Sequence, residues 1–207
     1  MRARVGLVAD THSPEFLDRL PKTLMEAFKG VDLILHAGDV GGRETLSRLG
    51  RLAPVEAVRG DHDRGLPGLP DARQLEIAGV KVALVHGNRG HLIEEPVTFV
   101  STVTLGYLWP MPDLGPWLLR RFPEADVIVH GHTHFPSVRR SAGKLIVNPG
   151  AVYQVTPEAA RRRLEAGPGW FEWTWLQVTR HRRRASPSTA AILEIGPDGL
   201  TTEIVRL

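Results

Sequence analysis

The segment His130-Gly131-His132-Thr133-His134 places three histidines in five positions, directly after the apolar run Val127-Ile128-Val129. Imidazoles bind transition metals and exchange protons near neutral pH, so a cluster of them invites both chemistries. A single histidine at the end of a buried strand is ordinarily a packing residue. A His-x-His pair there becomes more than that only if other ligands join it. Four further apolar runs end in such groups: Asp10-Thr11-His12, Gly38-Asp39, Gly60-Asp61-His62-Asp63 and His86-Gly87. The glycines suit tight turns and close backbone approach. In α/β sheets, ligands bind beyond the carboxyl ends of the strands, so five strands ending together would gather these side chains into one cluster.

The donor types restrict the chemistry. The chain has no cysteine, which excludes disulfides, thiolate metal sites and a thiol nucleophile. Imidazole and carboxylate without sulfur suit Mn, Fe, Zn, Ni or Co rather than Ca or Mg. The donors exceed the needs of one ion. Two ions about 3.5–4 Å apart, bridged by a carboxylate, would use them all.

The elements that must position these groups follow from the hydrophobic pattern. Strands are expected over 4–10, 31–39 and 55–63, with short helices over 21–30 and 42–50 between them. Strand, helix, strand, helix, strand is the pattern of a parallel α/β layer. Hairpins are expected over 73–88 and 137–151, a helix over 113–125, the motif strand from 126, and a C-terminal β-hairpin over 190–207 turning at Pro197-Asp198-Gly199.

The 207 residues, 42% hydrophobic and 24% charged, are ordinary for a globular protein and allow one large domain or two small ones. No run approaches the ~20 apolar residues of a membrane span. The N-terminal apolar stretch is too short for a signal peptide, which suggests a cytoplasmic protein. The net charge of +3 is local in origin, because residues 161–184 hold seven Arg against two Glu. The remainder is mildly acidic, so general nucleic-acid affinity is not indicated.

With these motifs in place, the chain resembles the calcineurin-like metallophosphoesterases, most of all their small bacterial and archaeal phosphodiesterase branch. The pattern Asp-x-His, Gly-Asp, Gly-Asn-His-Asp/Glu, His, Gly-His-x-His is met in order, and Val147-Asn148-Pro149-Gly150-Ala151 matches the branch after the last motif. The resemblance covers roughly 1–90, 114–153 and the C-terminal hairpin. It implies an α/β fold, a metallophosphoesterase-type two-sheet β-sandwich flanked by helices, in a single domain over 1–207 with insertions at 91–113 and 157–185. It also implies hydrolysis of a phosphodiester by a metal-bridging hydroxide. Asp10, His12 and His134 would hold one divalent transition-metal ion, manganese above all. Asp61, His86 and His132 would hold a second, with Asp39 bridging the two. His62 would be the general acid and Asp63 would orient it. His36 and His130 would be packing residues or supports behind the ligands. Asp61 stands where the family has Asn, and its charge would leave three carboxylates facing two dications. Asn88 stands where many relatives have His. Asn88 and Arg89 are candidates to touch a phosphate. The runner-up readings are a phosphomonoesterase, a peripheral lipid-phosphate hydrolase, and a non-catalytic scaffold such as the retromer subunit of this fold.

Two segments lie outside the resemblance. Thr156-Pro157-Glu158 is a helix start, with Gly167 ending the helix. The run after it, 169–178, alternates as a strand would, placing Phe171, Trp173 and Trp175 on one face. Such a strand would cover the core, form a homo-oligomer contact through 169–180, face lipid, or wall the substrate site; stacking on nucleic acid is the least favoured reading. Residues 91–113 would form a lid over the metals or a surface excursion.

Overall fold

Apolar runs without polar alternation belong to strands covered on both faces, and the chain builds two such sheets. The computed structural model describes residues 1–89, 100, 113–180 and 187–207. The expected lid over 91–113 lies almost wholly outside them, as do the arginines at 182–184.

The first sheet contains β1 (Ala3–Val8), β2 (Leu33–His36), β3 (Val55–Ala57), β9 (Thr189–Gly196) and β10 (Gly199–Arg206), in the order β10-β9-β1-β2-β3. Strands β1, β2 and β3 are parallel, with Leu7 opposite Leu35 and Leu35 opposite Glu56. The C-terminal hairpin adds β9 antiparallel to β1. The second sheet contains β4 (Ala72–Ile77), β5 (Val80–Val85), β6 (Val127–His130), β7 (Ser137–Ser141) and β8 (Lys144–Asn148), in the order β4-β5-β6-β8-β7. Here β5, β6 and β8 are parallel.

Side chains alternate across each strand, and both sides of the central strands find cover. Val5, Leu7 and Leu35 of the first sheet share one buried core with Val82, Leu84, Val127 and Val129 of the second. The opposite face of the first sheet, with Val8, Ile34 and Ile192, packs on Leu24 of helix α1 (Lys22–Ala27), on the adjacent Phe28 and on Leu49 of helix α2 (Arg43–Leu49). Gly6 leaves room there: a Cβ on it would stand 3.1 Å from the Phe28 ring. The opposite face of the second sheet, with Ala83, Val85, Ile128 and Ile146, packs on Leu118 of helix α3 (Gly115–Arg121) and on Phe122. The result is the expected two-sheet sandwich with helices outside it.

The chain divides into two compact units, 1–87 with 114–153 and 187–207, and 88–113 with 154–186. The sandwich is the first. The second takes in both segments read as insertions. It holds helices α4 (Pro157–Glu165) and α5 (Trp170–Arg180), which pack on each other and share an ion pair between Arg163 and Glu172. The α4 start is as expected, with Thr156 Oγ1 accepting from Ala159 N at 3.1 Å. The expected strand over 169–178 is corrected to a helix. An apolar run with residues at 170, 173 and 176 satisfies a helical period as well as a strand's, and Glu172 and Arg180 sit at the helix ends that favour their charges. Residues two apart lie about 200° apart around a helix axis, so the strand face on which an oligomer contact was argued does not form. Leu176 is buried, and Trp170 and Trp173 are exposed.

Among the described residues no helix is long and apolar enough to cross a membrane.

Candidate metal centre

Parallel strands carry their carboxyl ends to one side, and here β1, β2 and β3 of one sheet and β5 and β6 of the other deliver the motif residues to a common place. The loops are tied to one another by backbone hydrogen bonds. Asp10 N donates to Gly38 O at 3.0 Å, His12 N to Asp39 O at 3.0 Å, and Gly131 N to His86 O at 3.0 Å. Tyr153 N donates to Asp10 O at 3.0 Å, bringing the chain after the Asn-Pro-Gly motif against the first loop.

Seven side chains converge. Asp10, His12 and His134 form one group whose ligand atoms all lie within 4.8 Å of one another, and Asp61, His86 and His132 form a second. His134 Nε2 stands 3.2 Å from Asp10 Oδ1. His132 Nδ1 is 3.5 Å from Asp61 Oδ2, and His86 Nε2 is 4.0 Å from the same oxygen. Asp39 touches both groups: its Oδ2 is 3.6 Å from His12 Nε2 and 3.4 Å from His86 Nε2. Asp10 and His86 are fully buried, and His12 and Asp39 nearly so.

The backbone is bent to achieve this. Asp10, His12, Asp39, His132 and His134 all have positive φ, between 45° and 67°. Non-glycine residues enter this region at a cost, and such strain collects at functional sites. The neighbouring glycines are required for a different reason. A Cβ on Gly60 would lie 2.1 Å from Asp39 Oδ1, and one on Gly131 would lie 2.8 Å from Asp10 Oδ2.

Buried carboxylates and imidazoles face one another here and set each other's charge. Burial works against charge on Asp39, yet His86 and His12 beside it hold its carboxyl well below the usual carboxylate range. Burial likewise opposes charge on His86, but Asp39 and Asp10 outweigh it and raise the imidazole to about 10. Asp10 and His134 shift in the same paired sense, against burial, each through the other. His86 Nδ1 is satisfied by Ala37 O at 2.8 Å, whereas its buried Nε2 has no hydrogen bond. An imidazole fixed on its outer nitrogen by a backbone carbonyl, with the inner nitrogen aimed at carboxylates, is the arrangement of a metal ligand. The donor set therefore fits two divalent cations.

The supporting residues are also visible. His36 is buried, with Nε2 2.9 Å from Thr11 Oγ1, and burial pushes it down to about 4. His130 is pushed down to about 4 by burial as well, and its Nδ1 donates to Gly131 O at 3.1 Å. Asn148, buried, staples the His-x-His loop: its amide donates to Gly131 O at 3.0 Å and Thr133 Oγ1 at 2.9 Å and accepts from Gly150 N at 2.8 Å.

His62 lies at the rim, its side chain 44% exposed, its ring edge-on to His12 with centroids 4.7 Å apart. Its backbone N–H donates to Asp39 Oδ1 at 2.9 Å. Asp63, expected to orient His62, does something else. Its buried carboxylate accepts from Val40 N at 2.9 Å, Gly41 N at 3.0 Å and Gly60 N at 2.9 Å. It ties the loop after β2 to the loop after β3 and so fixes the backbone that carries Asp39 and Asp61. The carboxylate that faces the His62 ring is Glu15, which sequence reasoning missed; its only signal was its place three residues after His12. Asn88 and Arg89 begin the second unit and are half-buried.

The calcineurin-like phosphoesterase superfamily domain matches residues 3–163. A probable metallophosphoesterase from Methanothermobacter thermautotrophicus is 37% identical over 149 residues, 71% of this chain and 76% of that protein. Vacuolar protein sorting 29 from Cryptosporidium parvum has the same fold, with a TM-score of 0.63 at 20% identity over 100% of this chain and 98% of that one. A structure described as a novel archaeal phosphodiesterase gives 0.56 at 17% identity, over 99% of both chains.

Proposed function

Because the chain belongs to the calcineurin-like phosphoesterase superfamily, we infer that it is a two-metal phosphoesterase whose substrate is a phosphodiester. One observation carries the reading: two ligand triads are joined by a single buried carboxylate, Asp39, within 3.6 Å of a histidine from each. Asp10, His12 and His134 would hold one ion, Asp61, His86 and His132 the other, with Asp39 between them. Bound divalent transition metals would supply Lewis acidity at the phosphoryl group and a water acidified for attack. Manganese suits this oxygen and imidazole donor set, as do Fe, Zn, Ni and Co.

The chain's own residues do the rest. The buried pairs preorganise the ligands, so little rearrangement accompanies reaction. His62, half-exposed at the rim, would protonate the departing alkoxide. This role suits an ester with a poor, alkoxide leaving group, and the archaeal phosphodiesterase of the same fold supports a diester. The likeness to vacuolar protein sorting 29 favours the rival reading, a scaffold without catalysis. Hydrolysis of a generic diester, measured with chelator and with added Mn, separates them. The phosphodiesterase reading expects metal-dependent turnover that Asp39→Asn reduces by orders of magnitude. Manganese binding without turnover on diesters or monoesters would favour the scaffold. His62→Asn should reduce hydrolysis of an alkyl diester far more than of a nitrophenyl diester, up to the ~10²–10⁴-fold typical of general acids.

A further inference from the structure

We propose that Glu15 is a positioning residue that holds His12 and His62 in register, so that the first metal ligand and the proton donor are set by one carboxylate. The inference rests on the two-metal phosphoesterase reading for its catalytic consequence, though not for its geometry. Glu15 Oε1 lies 3.3 Å from His62 Nδ1, and Glu15 Oε2 lies 3.6 Å from His12 Nδ1. Each oxygen therefore faces a different ring.

The turn that follows β1 makes this possible. Phe16 N donates to His12 O at 2.8 Å and Leu17 N to the same oxygen at 3.2 Å, so the chain folds back and returns Glu15 to the His12 ring. Phe16 then braces both imidazoles, with centroids 5.4 Å from His12 and 5.8 Å from His62. Tyr153 closes the far side, 5.3 Å from Phe16 and 5.8 Å from His12.

Three observations give Glu15 a role that surface charge alone would not. The Nε2 of His12 faces Asp39, so Nδ1 is the outer nitrogen, and it is buried without a hydrogen bond. A ligating imidazole needs its outer N–H fixed by an acceptor, which sets tautomer and ring angle, and Glu15 is the carboxylate on that side. Next, Asp63 is committed to three backbone N–H groups and does not serve His62. Lastly, a general acid must present its proton from one nitrogen, so an acceptor on His62 Nδ1 directs Nε2 outward. His12, Glu15 and His62 also satisfy the spacing of a cation site. A cation there would have to take His12 by Nδ1, turning the lone pair of that ring away from Asp39.

The test uses Glu15→Ala and Glu15→Gln in the full chain, with circular dichroism to establish that both fold. The side chain is 38% exposed, so truncation leaves no closed cavity. In metal-free protein, long-range ¹H–¹⁵N correlation spectra read the histidine tautomers directly. The wild type should carry the proton of neutral His12 and His62 on Nδ1. Glu15→Ala should shift one or both rings toward the Nε2–H form, with Glu15→Gln, which keeps an acceptor oxygen, between the two. In Mn-loaded protein, Glu15→Ala should lose turnover on an alkyl diester by a larger factor than on a nitrophenyl diester, taking a share of the ~10²–10⁴-fold expected of the acid. Unchanged tautomers with equal losses on both substrates would overturn the proposal. Three bound ions per wild-type chain falling to two in Glu15→Ala, measured by metal analysis, would overturn it in favour of a separate cation site. If wild-type protein binds Mn but hydrolyses neither diester, the phosphodiesterase reading fails, while the tautomer spectra still decide the role of Glu15.

Discussion

Gly60→Ala should disable the centre although it removes no ligand. The Cβ it introduces would lie 2.1 Å from Asp39 Oδ1, 2.3 Å from Asp39 N and 2.8 Å from Asp39 Cγ. Ordinary contact begins near 3.4 Å, so the two loops must separate by about 1.3 Å at Oδ1. Neither side yields easily. Asp39 is already held in a left-handed conformation, and its carbonyl accepts from His12 N. Gly60 N is bound to Asp63, which also grips Val40 and Gly41. Displacing a catalytic group by ~1 Å costs on the order of 10²-fold in rate, and overpacking of this kind destabilises by about 1–3 kcal/mol. Gly131→Ala is a graded comparison, because its Cβ would meet Asp10 Oδ2 and Ala9 Cβ at 2.8 Å and require about half the shift. Gly196→Ala is the control, since nothing stands within 4 Å of its added carbon. The assay is kcat/KM on a diester with saturating Mn, alongside urea unfolding. The expected order of loss is Gly60→Ala, then Gly131→Ala, with Gly196→Ala unchanged. A folded Gly60→Ala protein within about threefold of wild type would refute the argument that backbone approach sets the position of Asp39.

Metal binding at neutral pH should release protons, because His86, raised to about 10, and His134, also raised, must give up theirs to ligate. Calorimetric titration of Mn in buffers of different ionisation enthalpy should show this, and affinity should fall as pH falls; a binding enthalpy independent of buffer would contradict it. Metal-free protein should lose stability as pH drops from 6.5 toward 4. Buried His36 and His130 resist protonation down to about 4 in the fold, whereas the unfolded chain takes up protons from 6.5. For His130 the ceiling is roughly 3 kcal/mol, and urea midpoints in chelator should show a slope that His130→Gln flattens. Asp61→Asn removes one of the three carboxylates that would face the ions, so it should weaken metal binding and move the basic rise of the pH–rate profile to lower pH. An unchanged affinity and profile would place Asp61 outside the centre.

Much of this protein was legible before folding because the strands that lead into its motifs, β1, β2, β5 and β6, are covered on both faces. Such strands read as unbroken apolar runs, so the polar groups at their ends stand out, and Asp10, Asp39, Asp61, His86 and His132 could be picked out by position alone. The superfamily and the two-sheet sandwich followed from the same five motifs in order. What the sequence could not decide were matters of direction and of partners far apart in the chain. The run at 170–178 carries apolar residues at both periods, and only the tertiary setting chose a helix for it. Asp63 sits beside His62 in the chain, yet a side chain one residue away points elsewhere once the backbone turns; its oxygens reach Val40 and Gly41, more than twenty residues back. Glu15 lies 47 residues from His62 and meets it only because two loops from different strands end at the same place. Sequence alone determined which residue types stand at the strand ends, because burial constrains composition locally. Tertiary structure decided which of them face each other, because the left-handed turns at Asp10, His12, Asp39, His132 and His134 set side-chain direction and are stable only inside the assembled fold.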